Sequence, residues 1–135
     1  MNSIFSSEIK VRPDDIDLNN HVHNTTYLDY VQAARYEQMN QFYKMPMDEF
    51  LELGYNWVAS ESSIKWKRAL KLGDTAVIKT QLDSINGAQC TVNFWIENKA
   101  TAKLVSEGSI LYTMISIVSG RPARITDDII KRYGI

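Results

Sequence analysis

Apolar and polar positions alternate loosely through residues 4–12, with Phe5, Ile9 and Val11 on one face, which predicts a strand that ends at Pro13. Residues 13–24 lose that period and carry Asp14, Asp15, Asp17, Asn19, Asn20 and Asn24, which predicts a loop. The period then lengthens. Between about Thr26 and Tyr43, Tyr27, Tyr30, Val31, Ala34, Gln38 and Gln41 fall on one helical stripe, and Leu28, Met39 and Phe42 widen it. Thr26 with Asp29 three residues on reads as an N-cap with an acid near the positive end of the helix. So broad an apolar arc predicts deep burial. Pro46 lies beyond this helix, and residues 47–53 can form one or two short helical turns closed by Gly54.

From Tyr55 onward the period is two. Strands are expected over residues 56–68, 74–85, 88–97 and 103–118, with Ala76, Ile78, Thr80 and Leu82 on one face and Cys90, Val92, Phe94 and Ile96 on another. Asn86-Gly87 marks a hairpin, because both residues tolerate positive φ. Ser119-Gly120 turns the chain, and residues 126–133 read as a terminal helix capped by Thr126 or Asp127. The order is strand, long helix, then four strands as a meander. An α+β fold accounts for it, with a curved antiparallel sheet wrapped around one long central helix. The open edges of such a sheet need protection, and pairing with a second copy would supply it, so a homodimer or homotetramer is expected.

Composition narrows the class. A chain of 135 residues, 44% hydrophobic and 23% charged, suits one globular domain over 1–135. Its formal net charge of -1 argues against a nucleic-acid partner. The single Cys90 leaves no intrachain disulfide and fits a reducing compartment. With no secretory leader and no long apolar run, the expected location is cytoplasmic, without a membrane span.

The densest chemistry lies between the first strand and the long helix. Asp17, Asn19, His21 and Asn24 put a carboxylate, two amides and an imidazole into eight residues, beside the free N–H groups of a helix start. His21 and His23 near Asp17 make only a weak zinc pattern. Ser60, Ser62 and Ser63 lack nucleophile-elbow glycines. Cys90 reads as core. Lys65, Lys67, Arg68 and Lys71 suit either a solvated strand face or the phosphates of coenzyme A or an acidic carrier protein.

Val11-Arg12, Asp15-Ile16-Asp17, His21-Val22-His23-Asn24, Tyr27-Leu28, Ala34-Arg35-Tyr36-Glu37, Lys67-Arg68-Ala69 and Leu72-Gly73-Asp74 occur in an order that resembles the hot-dog-fold thioesterases. Nearly the whole chain is covered. The resemblance implies hydrolysis of an acyl thioester, acyl-CoA or acyl-ACP, to a free acid and a thiol, with no metal or organic cofactor. It puts the catalytic carboxylate at Asp17, and the backbone N–H that meets the oxyanion at Asn24. Asp17-Leu-Asn19-Asn-His21 repeats the Asp-x-Asn-x-His spacing of acyl-ACP thioesterases, in which the amide and imidazole hold the carboxylate and water. Those enzymes add a Glu on the following strand, where Lys65, Trp66, Lys67, Arg68 and Ala69 stand here, and His23 replaces an Asn common before Asn24. The alternative from another class is a non-catalytic acyl-thioester-binding hot-dog module, against which the Asp17, Asn19 and His21 trio counts. A dehydratase of the same fold would show a longer glycine-containing helix entry.

Overall fold

Strict alternation sets the inner face of the sheet. In the computed structural model, which describes residues 2–43 and 45–133, β3 (Thr75–Asn86) buries Ala76, Ile78, Thr80 and Leu82, and β4 (Gln89–Asn98) buries Cys90, Val92, Phe94 and Ile96. β5 (Leu104–Ser116) adds Val105, Ile110, Tyr112 and Met114. Gly87 takes φ +65° in the two-residue turn between β3 and β4; the expected hairpin forms, with Asn86 as the last residue of the strand. β1 (Ile4–Lys10) ends two residues before the bound expected, with Phe5, Ser7 and Ile9 turned inward.

The four later strands are not a simple meander. The sheet order is β1-β3-β4-β5-β2, all neighbours antiparallel, with β2 (Tyr55–Trp66) at the far edge beside β5. Only β3, β4 and β5 form a meander. The connector 67–74 crosses the end of the sheet instead of closing a hairpin, and side-chain and backbone contacts from the polar loop hold it there. The Val22 N–H donates to the Leu70 carbonyl (2.9 Å), the Leu70 N–H to the Tyr27 hydroxyl (3.0 Å), and the Leu72 N–H to Asn20 Oδ1 (3.0 Å). Non-local pairing of this kind leaves no mark in local periodicity.

The helix α1 (Thr26–Gln41) packs on β1 and β3 through Tyr27, Tyr30, Val31, Ala34, Gln38 and Met39. Three details of the expected stripe are corrected. Gln41 and Phe42 are exposed, Phe42 stacking on Phe5 from outside, and buried Arg35 takes a place on the inner face. The N-cap is Thr25, without a side-chain cap, and Thr26 is already helical. Gln38 is fully buried yet satisfied: it donates to Ser7 Oγ (3.1 Å) and accepts from the Thr80 hydroxyl, tying α1 to both strands. Short helices α2 (Met47–Glu52) and α3 (Asp127–Tyr133) complete the structure; Thr126 Oγ1 caps α3 at the Ile129 N–H. No helix among the described residues is long and apolar enough to cross a membrane.

Candidate active site

Asp17 sits in a tight turn that its own side chain organises. The Asn20 N–H donates to the Asp17 carbonyl (3.1 Å), and Asn20 takes the left-handed φ of +59° that Asn tolerates. The Asp17 N–H donates to the His21 carbonyl (2.8 Å), and Ile16 pairs with Val22 below it. With the chain folded back this way, two backbone donors converge on one carboxylate oxygen. Asp17 Oδ1 accepts from the Asn19 N–H (2.8 Å) and from the His21 N–H (3.1 Å). Oδ2 has no hydrogen bond among the described residues. The His21 N–H is the largest influence on the Asp17 carboxyl; burial opposes it, and the Asn19 N–H and the two nearby imidazoles add to it, so the group is held below the usual carboxylate range.

The four residues singled out by sequence do not play equal parts. Asp17, His21 and Asn24 line one open cleft of about 490 Å³, together with His23, Tyr27 and residues 66–69. Asn19 reaches Asp17 through its backbone N–H, not its side-chain amide, and does not line the cleft. Asn24 stands just before α1, and its N–H donates no hydrogen bond among the described residues, while its carbonyl accepts from Trp66 Nε1 (3.1 Å). A free N–H at the positive end of a helix, on the rim of a cleft that holds a carboxylate, can meet a developing oxyanion.

The contact of Trp66 with Asn24 leaves no mark in the sequence. Trp66 comes from the end of β2, and the crossing connector brings it to the loop from 42 residues away in sequence. Residues 66–69 do reach the cleft, as the resemblance requires of the segment where acyl-ACP enzymes carry Glu. They bring an indole, two cations and an alanine. Lys67 lies 3.8 Å from Glu107, and Arg68 donates to the Leu104 carbonyl (2.6 Å).

Asp15 differs from Asp17 in kind. It is buried, and it accepts from the Arg12 N–H (3.0 Å), the Tyr30 hydroxyl (2.7 Å) and the Arg12 guanidinium (3.3 Å). Its backbone carbonyl takes the His23 N–H (3.0 Å), so this carboxylate underpins the loop rather than facing the cleft. Cys90 is buried in β4, where desolvation pushes its thiol up to about 11. Among the described residues, no group of three His, Cys, Asp or Glu side chains lies close enough to hold a metal ion.

These features define a hot-dog fold of the thioesterase class. The chain belongs to the thioesterase-like superfamily, whose family model matches residues 11–132. It is 25% identical over 116 residues to the long-chain acyl-CoA thioesterase FadM of Escherichia coli, covering 84% of each chain. A hypothetical protein from Thermus thermophilus superposes with a TM-score of 0.86 at 22% identity, over 95% of both chains. A thioesterase from the same organism, solved with coenzyme A and zinc, superposes at 0.81 and 20% identity, over 96% of this chain and 97% of that one.

Proposed function

We propose that the chain is one hot-dog domain that hydrolyses an acyl thioester of coenzyme A, or of acyl carrier protein, to a free acid and a thiol. The observation that carries this reading is Asp17, a carboxylate with one oxygen fixed by two N–H donors and the other unengaged, in the cleft that Asn24 also lines. Water supplies the hydroxyl of the acid, and its proton leaves with the thiol. Asp17 Oδ2 acts as base toward that water or attacks the carbonyl carbon itself. The Asn24 N–H takes the oxyanion. His21 orients the carboxylate and the water, and the Asn19 N–H fixes the charged form of Asp17. Coenzyme A as partner finds support in the acyl-CoA relative and in the neighbour solved with coenzyme A.

A panel of short, long and aromatic acyl-CoAs together with acyl-ACP, followed by thiol release, tests the reading. Turnover of any member supports it, and the preferred member gives the substrate class. Tight binding of acyl thioesters without thiol release would replace the enzyme with a binding module. In a single turnover in isotopically labelled water, protein oxygen in the acid requires direct attack, through a mixed anhydride that water opens at the Asp17 carboxyl carbon, whereas water activation puts solvent oxygen there.

Within that mechanism the two histidines are unequal. His21→Ala is expected to lower kcat about 10- to 100-fold, the cost of misplacing an otherwise intact reacting group. Both residues keep their backbone N–H bonds on substitution, to Asp17 Oδ1 and to the Asp15 carbonyl, so the comparison isolates the imidazoles; His23→Ala should cost less, because the resemblance gives the orienting imidazole to His21, four residues from Asp17. Steady-state kinetics of the two variants decide the matter; a dominant His23 would reverse the assignment.

The active form is a homodimer at least. β2 ends the sheet, and residues 59–63 are exposed on both faces of the strand. A twelve-residue edge of this sort is a template for pairing. Sedimentation at micromolar concentration is expected to show twice the chain mass or more, and a stable 15.5 kDa species would reject the assembly.

A further inference from the structure

Arg35 lies a little over two turns along α1 from Tyr27 of the cleft, and nothing in the mechanism above uses it. It is only 7% exposed. No carboxylate pairs with it among the described residues. Its Nη1 donates to the Tyr43 hydroxyl (3.2 Å), and its guanidinium carbon lies 5.3 Å from the Tyr43 ring centre and 5.7 Å from that of Tyr112. Aromatic faces soften the cost of burying this cation but leave most of its five N–H donors without an acceptor among the described residues. Tyr112 is 6% exposed, and its hydroxyl has no hydrogen-bond partner of acceptable geometry among the described residues, although the guanidinium stands close to it. A buried charge without a counter-ion and a buried hydroxyl without a partner are both expensive in a folded chain.

Both residues line the same space. A pocket of about 300 Å³ opens between α1 and β2, walled by Arg35, Tyr36, Met39, Met47, Trp57 and Tyr112. That volume is at the lower end for small-molecule sites, and apolar walls with a few convergent polar groups are their usual chemistry. Arg35 also borders a void of about 10 Å³ with Trp57, Cys90 and Ile129, too small for an organic ligand, so the pocket of about 300 Å³ is the space beside Arg35 that can hold one. Along the helix, Arg35 is eight residues from Tyr27 of the cleft, about 12 Å at 1.5 Å per residue.

We propose that this pocket receives the far end of the acyl group, and that Arg35 and Tyr112 together bind a carboxylate carried there. The guanidinium offers paired N–H donors to the two oxygens, and the Tyr112 hydroxyl adds a third. The methionine and aromatic walls cover the apolar body of the ligand. The preferred substrates are therefore thioesters of acids that bear a second carboxylate at the distal end. The link to substrate rests on the thioesterase reading, but occupancy of the pocket can be measured without turnover.

Calorimetric titration with octanoate and with octanol is the direct test. Octanoate should bind the wild-type protein at least about tenfold more tightly than octanol, the worth of a hydrogen-bonded charge. Arg35→Gln should remove that margin, and Tyr112→Phe should reduce it. The second variant deletes an oxygen that already lacks a partner, so it keeps the fold and keeps the test decisive if Arg35→Gln fails to fold. The second arm compares kcat/KM for an acyl-CoA ending in carboxylate and one of equal length ending in methyl; the preference for the former should collapse in both variants. Equal binding of the two probes, binding of neither because a second copy fills the pocket, or octanoate affinity unchanged in a folded Tyr112→Phe and Arg35→Gln would each overturn the proposal. Thiol release with no octanoate binding would leave the enzyme and remove the pocket. Octanoate binding that depends on Arg35, with no thiol release from any thioester, would do the reverse.

Discussion

Asp17→Asn is expected to lower kcat by about 100- to 10,000-fold, the range that a positioned acid or base contributes, while the fold and the assembly persist. The substitution is nearly isosteric. An amide oxygen can still accept from the Asn19 and His21 N–H groups that now meet Asp17 Oδ1, so the turn survives. What disappears is the negative charge and the unengaged oxygen. Asp14→Asn is the control: Asp14 is exposed, its contact is a loose 3.9 Å approach to Arg12, and activity should be unchanged. The pH profile of the wild type carries a second signature. Because backbone donors and the neighbouring imidazoles lower the Asp17 pKa, the active carboxylate form persists to more acid pH than an ordinary Asp would allow. Activity should therefore fall only as pH drops below the usual carboxylate range. Wild-type turnover in Asp17→Asn, measured by thiol release, would remove this residue from the chemistry.

The turn that holds Asp17 was legible because every part of it is local. Pro13 opens a short helical turn after β1, Asn20 accepts a left-handed backbone, and α1 begins five residues after His21, so the sequence itself brings Asp17, His21 and Asn24 together. The alternation from Ala76 to Ile96 was equally plain, since one face of each strand is buried. What sequence could not supply was pairing between distant segments. The expected meander would pair the strand from Tyr55 with the one that follows it, yet that strand joins β5, and Trp66 reaches Asn24 only because of that crossing. Charge misled in the same way. Arg35 is polar by type and buried in fact, since its partners Tyr43 and Tyr112 come from beyond the helix and from β5. The resemblance pointed to the Asn19 side chain as a support for the carboxylate, whereas in the structure the backbone N–H of that residue makes the contact.

Asp15→Ala tests the division of labour between two carboxylates only two residues apart, and it should act on stability first. Removing the buried carboxylate leaves the Tyr30 hydroxyl, on a side chain only 2% exposed, without its acceptor, and the Arg12 N–H loses its acceptor too. Lost bonds to a charged group and a stranded buried donor together predict a loss of about 3 kcal/mol in urea unfolding. Asp15→Asn should cost less, because the amide oxygen still accepts from Tyr30. In the double variant Asp15→Ala/Tyr30→Phe the stranded hydroxyl is gone as well, so the total should be smaller than the sum of the two single effects. The pH dependence follows from the sign of the shift. Burial alone would raise the Asp15 pKa, but the Arg12 N–H, the Tyr30 hydroxyl and the Arg12 guanidinium outweigh it and the pKa is lowered. A group with a lowered folded pKa contributes stability that is fully present above its unfolded pKa and is lost as pH falls through the folded one. Wild-type stability should therefore decline through the acid carboxylate range, and Asp15→Ala should lack that part of the decline. Equal stability of wild type and Asp15→Ala at neutral pH, or an unaltered acid profile in the variant, would show that the loop beneath Asp17 is held by its backbone bonds alone.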